Sequence, residues 1–403
     1  MSHVLVKNSI LNGSITVPPS KSAAHRALIC SFLAGGGSVS PVIDSQDMKA
    51  TCQVLEALSK GENVLDCIES GSTLRFAIPV AAALGKSVTF VGSGRLPQRP
   101  IGDYLRLLPQ HNVTCLSDGG LPLTISGQLV GGTFELAGDV SSQYITGLLL
   151  ALPILEQDSK ILLTTALQSK PYVDMTVKVM ADFGVVVEET DYGYYIKGNQ
   201  RYTPCDYTVE SDWSQAAFFL VAGALGGDVT LKGLDLESTQ GDKEIINVLK
   251  KFGCNIVVGN DWVRVTKSQL KGIEVDATDI PDMVPSIAVA AAFAQGDTVI
   301  TGAQRLRFKE SDRIKSVATN LQKMGVLVEE TDDGMIIKPN GVVNGASLDG
   351  FNDHRIVMAF SVAGLLANGD TTITDPFSIN KSYPSFFDDY NILGGKADVI
   401  CDL

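Results

Sequence analysis

The stretch Ala294-Gln295-Gly296-Asp297-Thr298-Val299 shows how the chain is organised, because an apolar helical run ends at its glycine and a strand begins directly afterwards. The same succession of helix end, glycine or turn, and strand start returns at residues 34–39, 83–88, 155–161, 224–229 and 367–372. One pattern that recurs along a whole chain is typical of a fold built from repeated units.

A second pattern accompanies the first and completes the unit. Helices are predicted to end at Gly184, Gly253 and Gly325, and alternating apolar and polar residues follow each glycine, as in paired strands. Each unit is therefore predicted to contain a helix, a strand, a helix and two further strands. About six such units cover the chain.

The six units divide into two sets of three near residues 209–212, where a strand-like segment ends and a helix begins at Trp213. The strand at residues 14–17 precedes the first unit, and we expect it to pair with the second set. The sequence thus predicts an α/β protein of two globular domains, residues 18–210 and residues 1–17 with 211–403. Functional sites usually form between such domains.

The segment Pro18-Pro19-Ser20-Lys21-Ser22-Ala23-Ala24-His25-Arg26 joins the first strand to the first helix. Ser20 and Ser22 are candidate N-caps, and Lys21 lies where unpaired backbone amides favour a phosphate or carboxylate. Arg26, one turn later, can add a bidentate contact. The segment predicts an anion-binding site, although an ordinary capped helix with solvated charges remains the alternative.

Other predicted helix starts are also rich in hydroxyl, amide and charged side chains. They lie at residues 69–75, 139–144, 279–285 and 351–356, whereas the start at 210–215 is interpreted as plain capping. Loops that add cations lie at residues 95–100, 168–172, 305–313 and 380–384. The spacing of Lys309 and Arg313 predicts that both lie on one face of a helix. Each segment alone is compatible with a cap or a charged surface. Independent caps, however, have no reason to place cations at equivalent positions of so many repeats.

Composition excludes some classes of partner. The formal net charge of −13 argues against nucleic acid or an anionic membrane. Seven scattered cysteines without a CxxC pair fit a reducing compartment and no structural zinc. Without a signal-like start or an apolar run of membrane-spanning length, we expect a soluble cytoplasmic protein.

Taken together, these residues resemble the 5-enolpyruvylshikimate-3-phosphate (EPSP) synthase family of enolpyruvyl transferases. The motifs that occur in the family's order are Pro19-Ser20-Lys21-Ser22 with Arg26, Ser70-Gly71-Ser72 with Arg75, Arg99-Pro100, Ser141-Ser142-Gln143, Ser169-Lys170-Pro171-Tyr172, Pro281-Asp282, Lys309-Glu310-Ser311-Asp312-Arg313, Asn352-Asp353-His354-Arg355 and Lys381. The resemblance covers essentially the whole chain. It implies two globular domains, each made of three βαβαββ units arranged as an inside-out α/β barrel.

The resemblance also implies an activity and its residues. The enolpyruvyl group of phosphoenolpyruvate would be transferred to the 5-hydroxyl of shikimate 3-phosphate by a monomer that needs no metal or organic cofactor. Shikimate 3-phosphate would be bound by Lys21, Ser22, Arg26, Ser141, Ser142, Gln143, Ser169, Tyr172, Asp282 and Lys309. Phosphoenolpyruvate would be bound by Lys21, Gly71, Arg99, Gln143, Arg313, Arg355 and Lys381, with Arg75 in a supporting role.

Two carboxylates are the expected proton carriers. Asp282 is the candidate base and Glu310, assisted by Lys21 or Lys381, the candidate acid, although the sequence leaves open which carboxylate moves which proton. Glu69 and Arg305 stand where many members of the family have asparagine.

Three rival functions remain at this stage. A related transferase acts on UDP-N-acetylglucosamine, but its loop cysteine and its Lys-Asn start are not matched. RNA 3′-phosphate cyclase is built from related repeats, but the net charge of −13 opposes binding to nucleic acid. A non-catalytic anion-binding relative would have no need for both Asp282 and Glu310.

Overall fold

The computed structural model describes residues 2–401, and the chain divides into two compact units. The middle unit is Pro19–Val209, and the terminal unit combines Met1–Pro18 with Glu210–Leu403. Each unit buries a hydrophobic core of its own. Two separate cores are expected for a chain of this length, because single cores rarely grow beyond about 250–300 residues.

Twelve α-helices occur within residues 2–401. They are α1 Lys21–Ala34, α2 Gln46–Lys60, α3 Gly71–Ala83, α4 Gly102–Leu107, α5 Ser142–Ala151, α6 Lys170–Asp182, α7 Trp213–Gly226, α8 Ile245–Lys251, α9 Val284–Ala292, α10 Arg313–Lys323, α11 His354–Ala363 and α12 Phe386–Ile392.

The strands of the same residues are short. They are β1 His3–Val6, β2 Asn12–Thr16, β3 Val39–Ser40, β4 Val64–Asp66, β5 Val88–Val91, β6 Val113–Leu116, β7 Leu123–Gly127, β8 Gly132–Leu136, β9 Ser159–Leu163, β10 Glu188–Thr190, β11 Gly193–Ile196, β12 Tyr207–Thr208, β13 Asp228–Lys232, β14 Asn255–Val258, β15 Trp262–Thr266, β16 Glu274–Asp276, β17 Thr298–Thr301, β18 Leu327–Glu330, β19 Met335–Lys338, β20 Ser347–Leu348, β21 Thr371–Thr374 and β22 Ala397–Ile400.

The repeats predicted from the sequence are present as small sheets with one common strand order. In the sheet β4-β5-β7-β6, strands β4 and β5 are parallel, and β7 is antiparallel to both β5 and β6. The sheets β8 to β11 and β16 to β19 repeat this order, which is the βαβαββ unit. The predicted fold class is therefore confirmed.

Strands from the start of the chain complete two sheets of the terminal unit. β2 pairs in parallel with β13, where Ser14 lies opposite Thr230, and β1 lies between β21 and β22. The prediction that the first strand pairs with the second set of repeats is thus confirmed for β2. The sixth sheet is reduced to β3 and β12, and Pro41, which cannot donate a backbone hydrogen bond, follows β3 directly.

Each unit contains helices that are buried on all sides. In the middle unit every residue of α3 except Ser72 is buried, and in the terminal unit α7 and α9 are similarly enclosed. Helices that are apolar all round belong in a core, whereas α2 and α10 each expose a polar face. No helix of the described residues is both long enough and apolar enough to span a membrane.

A tyrosine replaces a hydrogen bond that is missing inside α3. Pro79 has no backbone N–H, so it cannot donate to the carbonyl of Arg75 one turn earlier. The buried hydroxyl of Tyr104 donates to that carbonyl at 2.7 Å. Gly147 of α5 makes room for this arrangement, since a Cβ there would overlap the Arg75 carbonyl and the Tyr104 hydroxyl.

We predict that Tyr104→Phe lowers the free energy of unfolding by about 1–3 kcal/mol, because a buried carbonyl loses its donor. Tyr195→Phe is the matched control. The Tyr195 hydroxyl donates to Asp158 in an exposed position, so this change should cost less than about 0.5 kcal/mol. Urea unfolding followed by circular dichroism measures both values. Equal losses in the two variants would contradict the role given to Tyr104.

Candidate active site

Lys21 begins α1, as the sequence predicted. Ser20 is the N-cap, and its side chain accepts a hydrogen bond from the amide of Ala23. The Lys21 ammonium lies 2.6 Å from the Asp47 carboxylate at the start of α2. Asp47 was missed in the sequence because it lies in an ordinary capped helix start. The pairing holds the Lys21 ammonium at the positively polarised end of α1.

Arg26 is almost completely buried and is fixed from several sides. Its guanidinium donates to the Thr176 hydroxyl at 2.8 Å and to the carbonyls of Ser22 at 2.6 Å and Tyr172 at 2.9 Å. Burial lowers its pKa to about 10. The structure therefore brings together Ser22, Arg26 and Tyr172 of the predicted set.

A second group in the middle unit surrounds the start of α3. Ser70 caps this helix, and the Arg99 guanidinium lies directly against Gly71, where any Cβ would overlap it. The Gln143 amide donates to the Ser72 hydroxyl at 3.0 Å and accepts from Arg75 at 2.7 Å. These contacts join the predicted residues Gly71, Arg99 and Gln143 to the supporting Arg75.

The remaining predicted residues of the middle unit lie at the starts of α5 and α6. Ser141 is the N-cap of α5 and accepts from the amide of Gln143, and the buried Ser142 is the first residue of that helix. Ser169 precedes α6 in the left-handed region with a φ of 56°. Such a backbone conformation is uncommon for residues other than glycine and is often found at functional positions.

In the terminal unit, four predicted residues converge on the Asp282 carboxylate or on its partner. Asp282 lies in a 3-10 helix, Pro281–Met283, that leads into α9. Its oxygens accept from Arg313 at 2.9 Å and Arg355 at 3.0 Å, and the Lys309 ammonium is 3.6 Å away. Glu310 accepts from Arg313 at 2.7 Å.

The helical interpretation of Lys309 and Arg313 was wrong. Lys309 has extended backbone after the 3-10 helix Gln304–Phe308, and α10 begins only at Arg313. The reason is Asp312, whose side chain accepts from the amide of Lys315 and thereby caps the helix at this point. The two cations still approach the same carboxylate, because the chain turns between them.

The buried Arg313 also pairs with a third carboxylate, that of Asp353, to which the sequence analysis assigned no role. Asp353 is fully buried, and it accepts from the Arg313 Nε at 2.8 Å and from the Ser311 hydroxyl at 2.9 Å. It also caps α11 by accepting from the amide of Arg355. The Lys381 ammonium donates to the carbonyl of the adjoining Asn352 at 2.7 Å.

The surroundings of two aspartates in the terminal unit shift their pKa values in opposite directions. Burial acts to raise the pKa of Asp282, but the charges of Arg355, Lys309 and Arg313 outweigh it and hold that pKa below its usual range. Burial raises the pKa of Asp242 to about 6, and the negative charge of Asp282 adds to this rise. The Ser214 hydroxyl at the start of α7 donates to Asp242. The helix start interpreted as plain capping therefore also holds a buried carboxyl.

Comparison with known proteins identifies the family. The family model of EPSP synthase (3-phosphoshikimate 1-carboxyvinyltransferase) matches residues 5–63 and 57–390. A 3-phosphoshikimate 1-carboxyvinyltransferase from Clostridium novyi is 43% identical, with 99% of each chain covered. One from Methanococcus maripaludis is 39% identical, with 98% of this chain and 100% of the relative covered. The chain belongs to the EPSP synthase family.

Solved structures agree with membership of the EPSP synthase family. EPSP synthase from Acinetobacter baumannii superimposes with a TM-score of 0.82 at 26% identity, and both chains are covered completely. The enolpyruvyl transferase NikO from Streptomyces tendae, at 18% identity and a TM-score of 0.78, shares the fold. The chain is thus a transferase of the shikimate pathway, on the route to the aromatic amino acids. It transfers the enolpyruvyl group of phosphoenolpyruvate to shikimate 3-phosphate.

For this member of the EPSP synthase family we predict that Asp242→Asn stabilises the terminal unit at pH 8 but not at pH 4. The pKa of Asp242 is raised in the folded state. Its contribution to the free energy of unfolding is fully present below its unfolded pKa of about 3.9, and it is lost as the pH rises through about 6. Asparagine still accepts from Ser214 but does not ionise. The rise from about 3.9 to about 6 corresponds to about 3 kcal/mol, which is the upper limit of the gain.

Denaturant unfolding at pH 4, 6 and 8 measures this gain. Asp297→Asn, at an exposed position of the same unit, is the control and should stay within about 0.5 kcal/mol of the parent at each pH. A gain from Asp242→Asn that does not change with pH would rule out ionisation as its cause.

Proposed function

We propose that the residues implied by the family resemblance bind the two substrates and carry out the transfer. Shikimate 3-phosphate is bound by Lys21, Ser22, Arg26, Ser141, Ser142, Gln143, Ser169, Tyr172, Asp282 and Lys309. Phosphoenolpyruvate is bound by Lys21, Gly71, Arg99, Gln143, Arg313, Arg355 and Lys381. The observation that supports this proposal is the convergence of Arg313, Arg355 and Lys309 on Asp282, beside Glu310, because three cations and two carboxylates lie together there.

The cations of the proposed site compensate the negative charge of the substrates. Each substrate carries a phosphate and a carboxylate, so the pair brings about six negative charges at neutral pH. Like charges about 4 Å apart repel by several kcal/mol at the effective dielectric constant near a protein surface. Buried guanidiniums such as those of Arg26 and Arg313 already have their orientation fixed, so binding an anion requires little further ordering.

Proton transfer is assigned to the two carboxylates. Asp282, which three cations keep ionised, takes the proton of the 5-hydroxyl, since an ionised carboxylate accepts a proton but has none to donate. Glu310, with Lys21 or Lys381 assisting, donates a proton to the methylene carbon of phosphoenolpyruvate. The hydroxyl oxygen bonds to the adjoining carbon. The intermediate then loses phosphate while a methyl proton returns to the Glu310 carboxylate, which gives the enolpyruvyl product.

The compartment and the assembly belong to the proposal as well. All seven cysteines are free thiols, which supports a reducing environment such as the cytoplasm. We take the working form to be a monomer, as the resemblance implied.

Phosphate release from phosphoenolpyruvate tests the choice of acceptor. We expect release with shikimate 3-phosphate and none above background with UDP-N-acetylglucosamine. A coupled assay for inorganic phosphate measures both, and mass spectrometry of the product identifies the acceptor. Activity with the sugar nucleotide alone would overturn the proposal.

Asp282→Asn tests the proposed base. We expect kcat to fall by about 10²–10⁴-fold, because the amide cannot accept the hydroxyl proton, while the variant still binds shikimate 3-phosphate within about tenfold of the parent. Steady-state kinetics and calorimetric titration give the two quantities, and Asp297→Asn again serves as control. A kcat close to that of the parent would remove Asp282 from the mechanism.

A further inference from the structure

A buried chain of hydrogen bonds in the middle unit connects three helices. The imidazole Nδ1 of His25 in α1 lies 2.7 Å from the Thr51 hydroxyl in α2, which lies 2.7 Å from the Thr73 hydroxyl in α3. Thr73 donates to the Ser70 hydroxyl at 2.7 Å, and Ser70 is the N-cap of α3. All four side chains are at most 1% exposed, so water cannot replace these bonds.

The direction of the chain follows from its last bond. A hydroxyl has one hydrogen, and Thr73 uses its hydrogen toward Ser70. Thr51 must therefore donate to Thr73, and the Nδ1–H of His25 must donate to Thr51. Both the Nδ1–H tautomer and the imidazolium can donate in this way. Burial together with the charges of Lys21 and Arg26 lowers the pKa of His25 well below its usual value, which favours the neutral tautomer.

The chain connects the start of α1, where Lys21 is assigned to both substrates, with the start of α3, where Gly71 is assigned to phosphoenolpyruvate alone. Lys21 and His25 are one turn apart on α1, and their partners Asp47 and Thr51 are one turn apart on α2. The two helices are thus joined at two levels. The second level continues into α3 through Thr73, whose hydroxyl also lies 3.5 Å from the Asp47 carbonyl. It ends at the turn that presents Gly71 and the Ser72 hydroxyl to Arg99 and Gln143.

We propose that Thr51 is a positioning residue that fixes the first turn of α3 relative to α1, and that it acts on the binding of phosphoenolpyruvate rather than of shikimate 3-phosphate. This inference rests on the assignment of Gly71 and Arg26 in the proposed function. The hydrogen bonds of Arg26 go to Thr176, Thr146, Ser22 and Tyr172. None of these residues lies on α2 or in the first turn of α3, so the bonds do not pass through Thr51.

Thr51→Val and Thr51→Ser form the test, because valine keeps the shape without the hydroxyl and serine keeps the hydroxyl. We expect Thr51→Val to raise the KM for phosphoenolpyruvate about tenfold and to leave the KM for shikimate 3-phosphate within about twofold. Thr51→Ser should restore the parent value within about twofold. Steady-state kinetics with each substrate varied separately gives both constants.

Thr73→Val breaks the same chain at its next member and guards against a folding defect in the first variant. It should raise the KM for phosphoenolpyruvate by a similar factor, and the double variant should be little worse than either single one, because the two residues act through one connection. Binding of shikimate 3-phosphate, measured by calorimetry, reports that each variant is folded.

Several outcomes would overturn the inference. They are an unchanged KM for phosphoenolpyruvate in Thr51→Val, equal changes for both substrates, and the same loss in Thr51→Ser as in Thr51→Val. An inactive parent would instead contradict the proposed function, so the two failures are distinguishable.

Discussion

The burial of the Arg313 guanidinium is the constraint on which the proposed site residues of the terminal unit depend. A charged group 1% exposed is costly to take out of water unless charges of opposite sign replace its hydration. Asp353, Asp282 and Glu310 supply those charges, at 2.8, 2.9 and 2.7 Å. The same contacts raise the pKa of Arg313 above its usual value, so its charge is permanent. Because Arg313 shares Asp282 with Arg355 and Lys309, one buried cation orders the whole group.

Lys21 of the middle unit pairs with a carboxylate, that of Asp47, but Arg26 and Arg75 are held by neutral acceptors where the terminal unit uses carboxylates. Arg26 is held by two carbonyls and one hydroxyl, and Arg75 by an amide oxygen and the carbonyl of Pro100. These neutral acceptors fix a guanidinium without cancelling its charge. The positive potential therefore remains available to anions, to which the starts of α1, α3 and α5 add their own amides. A protein of net charge −13 can in this way present a local excess of positive charge.

Much of the fold could be predicted because the repeat signals are local. A glycine that ends a helix and the alternating strand after it leave a pattern in the sequence, and Gly35, Gly184 and Gly325 do lie just past helix ends with positive φ. The residues of the site were found by their resemblance to family motifs. The partners of Asp47 and Asp242 were missed. The local sequence around an aspartate near a helix start is the same whether the side chain only caps the helix or also pairs with a distant group. The pairing of Thr51 with His25 and Thr73 was missed as well, because single threonines inside helices do not form a recognisable sequence pattern.

The error over Lys309 and Arg313 shows which kind of signal fails. Their spacing matched one helical face, but Asp312 between them is a strong N-cap and sets the helix start at Arg313. The i,i+4 spacing places two side chains on one face only if the segment between them is helical. The N-cap Asp312 determines where the helix begins, and Lys309 lies before that point. The functional consequence is favourable, because an extended Lys309 reaches Asp282 from outside α10 while Arg313 reaches it from the first turn. Two cations from different elements thus constrain the position of one carboxylate. The role that we propose for Asp282, to accept the substrate proton, needs such a fixed position.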